Sequence, residues 1–446
     1  MVACYLDADS TGYRPSTISL GLNGYDYFLV QGGTGGVASD WYLTSTTPPE
    51  EGGATDPGGQ TPPPGSGVET PPGSGIETPP GNGTETPPGS GTETPPGSGV
   101  TTPPGSGAGT PGSAPGKMQN VSPENGAHIG NQVAATRMFV HRLADRTVAQ
   151  TSAGQSAPGS ASRQVWARTE GARHTGMKLD EGQVSIDTDT AMLQMGADLV
   201  STRLGQQGVL KAGVMAGAGE ARTNATSQLI HPGTGMAMRA DARGKVTGYS
   251  VGMYATAYAD DATRLGAYAD SWLQFGRYSN EINSELGSAR YRSNAWTASV
   301  EAGYAFKPFA GDSALGAMVV VPQAQLAYTR YDAQDAVLPS MTLKNSPASS
   351  VTSRVGVRAY PLGNDATTSP VRPYVEANWL HNSGSAKANV GTSTFQATPM
   401  RDAAELRIGV AGNVRDSWQV SGELFGQAGN GGQRGYGGML NVGYRW

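Results

Sequence analysis

The chain has 446 residues, room for two to four ordinary domains, yet only 15 % of them are charged and 65 are Gly and 30 Pro, far from average usage. A formal net charge of -5 gives no electrostatic case for nucleic acid as a partner. No stretch of about 20 apolar residues exists, which excludes a transmembrane helix but leaves open a barrel, whose strands need only about 10 alternating residues each.

Residues 1–45 carry short β-like runs, "STISLGL", "YDYFLV" and "GGVASDWYLTS", with clustered aromatics (Tyr25, Tyr27, Phe28, Trp41, Tyr42) and Gly-rich turns. So short a segment cannot bury much of a core by itself and reads as the last rungs of something larger. Cys4 is the sole cysteine, so there is neither a disulfide framework nor a thiolate metal cluster. "MVAC" has no basic start and no apolar run before it, as a lipoprotein or an ordinary signal peptide requires, so either the chain is cytosolic or its natural N-terminus lies upstream of Met1, and the features farther along the chain favour the second.

Residues 46–116 become an octapeptide repeat: "TPPGSGIE" at 70–77, "TPPGNGTE" at 78–85 and "TPPGSGTE" at 86–93. Apolar side chains are nearly absent, so nothing offsets the entropy of ordering it, and a solenoid would need apolar core positions. Pro-Pro favours polyproline II while Gly-Ser-Gly restores flexibility. The expectation is a disordered, semi-stiff spacer between two structured parts.

Residues 117–162 contain one helical pattern, about Glu124 to Ala149, and a further Ser/Gly/Pro-rich link. Ile129, Val133, Val140 and Leu143 recur at helical spacing, with Arg137, His141, Arg142, Asp145 and Arg146 over much of the remaining surface.

From Arg163 to Trp446 a two-residue alternation recurs in twelve segments, starting near 163, 188, 208, 245, 264, 290, 316, 350, 371, 402, 417 and 436. In "AELRIGVAGNV", Leu406, Ile408 and Val410 share one face and Glu405 and Arg407 the other. A soluble sandwich also alternates. Three features favour a membrane barrel: several segments exceed the usual strand length, aromatics flank the apolar faces (Tyr249, Tyr304, Tyr444, Trp446), and charge sits mid-strand opposite them, costly in a dry core but at home in a wet lumen. An even strand number closes the barrel, last strand on first, and removes open edges. Twelve strands leave a lumen just wide enough for an α-helix about 10–12 Å across. The fold expected is thus all-β: a twelve-stranded antiparallel transmembrane barrel with an N-terminal helix in its pore.

At this point the sequence resembles a known family. The helix "NQVAATRMFVHRLADR", the strand "VWAR", "YVEANWLHN" and the alternating end at Trp446 are similar to the translocator domain of the autotransporters, the monomeric type V secretion proteins. "YDYFLVQGG…DWYLTS" is similar to that family's passenger–linker junction. The resemblance implies an outer-membrane barrel through which an N-terminal passenger, an adhesin among the options, reaches the surface of a Gram-negative cell. Residues 1–45 would be the remnant of a β-helical passenger. It also implies that the last strand, with Leu440, Val442, Tyr444 and Trp446, is read by the β-barrel assembly machinery. The expected partners are that machinery, periplasmic chaperones, outer-membrane lipid and the chain's own passenger. The family's signal peptide and long passenger are both missing from this sequence.

Candidate lumen residues are Arg354, Arg358, Glu376, Glu405, Arg407 and Glu423, facing Arg137, His141, Arg142 and Asp145 of the pore helix. They could line a hydrophilic path for extended polypeptide, or pair with one another and with the helix to plug the barrel; the two roles can coexist. Some relatives release the passenger by helix–barrel carboxylate chemistry; no clear asparagine-pair motif for it is present, and Asn125 and Asn131 are the nearest candidates. The five histidines lack metal-ligand spacing, there is no G-x-S-x-G, and "QGGTGG" lacks the lysine of a phosphate loop, so no cofactor, metal or catalytic site is expected. The alternatives to a translocator are a diffusion pore and, behind it, an outer-membrane enzyme.

Overall fold

The computed structural model describes residues 20–31, 41–46, 119–147 and 163–446, apart from 233–234, 312–315, 346, 362–370 and 415–416. The octapeptide repeat, Cys4 and the link at 151–162 lie outside the described residues. The described chain opens with β1 (Leu20–Leu22), β2 (Tyr25–Gln31) and β3 (Trp41–Thr44), followed by helix α1 (Pro123–Arg137) and a single turn, α2 (Leu143–Arg146). There follow β4 (Gln164–Leu179), β5 (Val184–Leu204), β6 (Gly208–Ile230), β7 (Ala237–Tyr258), β8 (Gly266–Ser284), β9 (Gly287–Ala305) and β10 (Met318–Ala333). Short β11 (Ala336–Val337) and β12 (Thr342–Lys344) precede β13 (Ala348–Pro361) and β14 (Val371–Asn382). Short β15 (Ala386–Val390) and β16 (Ser393–Ala397) precede β17 (Asp402–Asn413), β18 (Trp418–Gly429) and β19 (Arg434–Arg445).

The twelve long strands form a closed antiparallel barrel, and β19 pairs with β4 from Arg434↔Thr175 to Arg445↔Gln164. Closure satisfies the backbone groups of both terminal strands, so neither remains an open edge. The alternation read from the sequence is realised inside out. Leu193, Val251, Val300, Ile408 and Leu424 are exposed on the outer face, whereas Gln194, Ser250, Glu301, Arg407 and Glu423 are buried on the inner one. That polarity suits lipid outside and a polar lumen inside. Aromatic girdles bound the apolar belt: on β9 Trp296 and Tyr304, and on β19 Tyr436 and Tyr444, are exposed or nearly so at a spacing of eight residues. Eight residues span roughly 27 Å of strand, or about 21 Å along the axis at a tilt of about 40°, close to the height of an outer-membrane apolar band.

Strands β5 to β9 run 19 to 23 residues, longer than the membrane requires. Beyond the belt their outer faces carry solvent-exposed ion pairs, Arg239–Asp241 and Lys245–Glu220 among them. This explains why β7 begins at Ala237, eight residues before the expected 245: its first turns of pleat, "AMRADARG", stand in water and lack apolar alternation.

The mouth where β4 starts and β19 ends is called the lower mouth. At the opposite, upper mouth, β11, β12, β15 and β16, grown from two of the connections, form a separate four-stranded antiparallel sheet. Its Leu343, Ala388, Val390 and Phe395 share one apolar cluster with Val121, Ala127 and Ile129 at the start of α1.

One expectation is corrected. The helix does not run from Glu124 to Ala149: α1 ends at Arg137, Met138–His141 is not helical, and only Leu143–Arg146 makes a further turn, residues 148–149 lying outside the described set. Val140 and Leu143 therefore do not continue the face begun by Ile129 and Val133. The shortening has a steric cause, since below Arg137 the lumen holds Trp272 and the inward, buried Asp270, Glu301, Glu376 and Glu423. In the described part of the first segment β1, β2 and β3 pair antiparallel, and the two-residue Asn23–Gly24 turn, with φ 54° and 82°, joins β1 to β2 as a hairpin.

Candidate functional site

α1 starts at Pro123, pre-set for the first helical position, with Glu124 in the first turn favouring the positive end of the dipole. It has no single apolar face: His128, Asn131 and Gln132 are as buried as Ala127 and Ile129, because barrel wall surrounds the helix. Small residues let it lie against β5 to β7. A side chain at Gly130 would collide with Thr223, and one at Gly244 of β7 with Asn131. Two of its polar side chains bond to their surroundings, Asn131 Nδ2 donating to Glu281 O of β8 at 3.1 Å and Gln132 Oε1 accepting the Lys387 N–H of β15 at 3.0 Å.

Below Arg137, whose Nη2 donates to Pro399 O (3.1 Å), the backbone extends. The His141 ring stacks on Trp272 of β8 (centroids 4.4 Å apart, planes 12° apart), and its carbonyl accepts from Gln325 Nε2 at 2.7 Å. α2 is capped by Asp145, whose Oδ2 accepts the Arg142 N–H at 2.8 Å, while Glu301 accepts the Leu143 N–H at 3.0 Å.

Arg142, 1 % exposed, is the hub. Its guanidinium lies 2.5 Å from Asp145, 2.7 Å from Glu376 of β14 and 2.8 Å from Glu423 of β18. Arg407 of β17 reaches Glu423 at 2.6 Å and Glu405 at 2.8 Å. Asn378 Nδ2 bridges Glu376 and Glu405, 2.8 Å from each. A guanidinium offers five donors in a fixed fork, which lets one side chain join carboxylates on separate strands. Arg354 is half-buried, and Arg358 lies over the Tyr374 ring, 4.1 Å from its centroid. The six lumen candidates thus share one inner wall, and Arg142 meets two of them, Glu376 and Glu423; Arg137 and His141 lie higher, against other partners.

Several participants went unselected in the sequence. Arg146 pairs with Asp270 of β8 at 2.5 Å and lies over Tyr254 at 4.2 Å. Arg168 of β4 donates to Gln194 at 2.9 Å and approaches Asp145 at 3.8 Å, and Asn441 Nδ2 holds the Asp145 carbonyl at 2.5 Å. Asp270, Arg168 and Asn441 occupy inward positions of the two-residue period, where a lone polar residue carries no signal until its partner is known. Of the two asparagine candidates, Asn125 donates to the Gly24 and Ser122 carbonyls (2.8 and 3.0 Å) and Asn131 to Glu281, so both amides hold backbone. Leu440 and Trp446 are exposed on the outer face; the Tyr444 ring lies 5.0 Å from Trp418 and 6.2 Å from Trp446.

Comparison with known proteins adds to this geometry. Residues 165–424 match the family model described as the autotransporter beta-domain. The chain is 33 % identical over 334 residues to the uncharacterized protein YdeU of Escherichia coli K12, covering 73 % of this chain and 70 % of that one. It is 27 % identical over 332 residues to the autotransporter adhesin AIDA-I of Escherichia coli, covering 72 % of this chain and only 25 % of that relative's length. The crystal structure of the AIDA-I transport unit superposes with a TM-score of 0.59 at 24 % identity, over 73 % of this chain and 99 % of that one, a likeness of fold.

Proposed function

Because the chain belongs to the autotransporter family, with its β-domain at residues 165–424, we propose that the part preceding α1 is carried outward through the barrel and held there. The barrel is an outer-membrane translocator of a Gram-negative bacterium. The observation that carries the proposal is the threaded segment. Asn120 is bonded to Ile230 at the upper mouth and the Asp145 carbonyl to Asn441 of β19 farther down, so residues 120–145 run within the closed lumen. A polypeptide left in a pore in this way is the end state of a transport event whose leading part has already passed. On this reading the upper mouth is extracellular.

The inward carboxylates and guanidiniums serve twice. During transit Arg354, Arg358, Glu376, Glu405, Arg407 and Glu423 offer a wetted wall on which an extended chain finds no apolar surface to adhere to. Afterwards Arg142 and Asp145 dock into that wall, and the plug keeps the membrane sealed. The final strand, with Leu440, Val442, Tyr444 and Trp446 outward, is the segment that the barrel assembly machinery reads after periplasmic chaperones deliver the chain. The passenger acts at the cell surface as an adhesin, and the barrel itself performs no catalysis.

The test is topological. With a signal peptide and an epitope placed before Lys117, intact cells are labelled by antibody, and deletion of Trp446 removes the label together with the folded barrel. A barrel that inserts while the epitope stays hidden would overturn export and leave a diffusion pore, recognisable by open conductance with α1 in place.

A further inference from the structure

We propose that residues 23–31 and 41–46 form a foot on which the passenger stands directly at the upper mouth. The proposal rests on the export reading, which places this mouth outside the cell.

The observation is how residues 119–122 are gripped from two sides. Toward the barrel, the Asn120 side chain pairs with the backbone of Ile230, donating at 2.9 Å and accepting at 2.8 Å. The Val121 N–H donates to Gln183 Oε1 at 2.5 Å, and Ser227 Oγ to the Val121 carbonyl at 2.6 Å. Toward the first segment, the Asp26 N–H donates to Asn120 O at 2.7 Å and the Asn120 N–H to Ser45 O at 2.9 Å. The Ser122 N–H donates to Gly24 O at 3.0 Å, and Ser122 Oγ to Asp26 Oδ1 at 2.7 Å. Asn120, Val121 and Ser122 are wholly buried between the two. The first segment and the barrel are therefore continuous through one short strand.

The hairpin also touches the barrel's own parts. The Asn23–Gly24 turn fits against the upper sheet so closely that a side chain at Gly24 would overlap Phe395, and one at Gly391 would overlap Asn23. Rings meet at Tyr25–Phe395, 5.1 Å apart, and at Phe28–His231, 5.3 Å apart. Phe28 is 1 % exposed, which a leashed passenger end would not achieve.

A spacer holds its ends apart. A free chain of about 70 residues has a root-mean-square span of about 45 Å. Here Thr46 and Gln119 form an antiparallel bridge, which brings their Cα atoms to within about 5 Å. Thr46 and Gln119, the described residues on either side of the repeat, thus lie side by side at the upper mouth.

The experiment places a sequence-specific protease site between Gly81 and Asn82 of the full chain, with an N-terminal epitope. After cleavage, the epitope-bearing fragment is expected to stay on washed cells without a covalent link. Gly24→Val and Phe28→Ser, which leave the barrel wall untouched, are expected to release it at least about tenfold faster, since interface substitutions act mostly on dissociation; heat-modifiable gel mobility checks that both barrels are folded. Prompt loss of the fragment from the unsubstituted chain, with the epitope labelled before cleavage, overturns the foot while export stands. No label before cleavage overturns export instead. The same cleavage on detergent-purified chain then decides the foot: co-purification of the fragment supports it, and separation overturns it.

Discussion

Replacing Arg142 by methionine removes the charge at the centre of the lumen while keeping most of the side-chain volume. The guanidinium is 1 % exposed and lies within 2.8 Å of Asp145, Glu376 and Glu423. Around it the nearest network holds two further guanidiniums, Arg168 and Arg407, and two further carboxylates, Glu405 and Glu170. Without Arg142, five carboxylates face two cations, and Glu376 keeps the neutral donors Gln323 and Asn378 at 2.8 Å. Breaking a buried ion pair by removing one partner costs about 3–5 kcal/mol, chiefly through the charge left behind. With a urea slope of about 3 kcal/mol/M, the unfolding midpoint of the barrel in detergent falls by about 1–1.7 M. If the stranded charge is the cause, adding Glu376→Gln and Glu423→Gln to R142M recovers most of the loss, as a multiple-mutant cycle would register. An R142M midpoint within about 0.2 M of wild type, or a triple variant no more stable than the single one, would refute the reasoning.

Gly130→Leu forces bulk into the contact with Thr223 and destabilises the plugged barrel by about 1–3 kcal/mol, with higher single-channel conductance in planar bilayers as α1 is displaced. Trp272→Ala removes the ring under His141 and costs about 3–5 kcal/mol, read from the same denaturation curves. Leu424, 72 % exposed on the outer face, distinguishes lipid from water: Leu424→Arg costs about 2–4 kcal/mol for folding into bilayers, while the exposed Arg239→Leu beyond the belt changes little.

The legible part of this molecule was its periodicity. Ten of the twelve barrel strands begin within three residues of where alternation starts, because lipid on one side and a wet lumen on the other impose opposite polarity on every second residue. β5 and β7 begin earlier than expected for one reason: their upper ends project past the membrane, where the outer face no longer has to be apolar. Glu405, Arg407 and Glu423 stood out as charges in otherwise apolar runs. Asp270, Arg168 and Asn441 did not, since a single polar residue among small ones carries no signal until its partner is known.

By itself the sequence determined the fold class, the strand number, the side that meets lipid and the presence of a helix sized for the lumen, all consequences of local period and composition. Tertiary structure alone decided where that helix ends, which carboxylates Arg142 joins, that two connections build a sheet across the upper mouth, and that Thr46 lies beside Gln119. Each of these is a contact between residues far apart in the chain, set by how the closed barrel divides its interior. Local propensity has no term for that space: α1 stops at Arg137 because the lumen below is already filled from the walls.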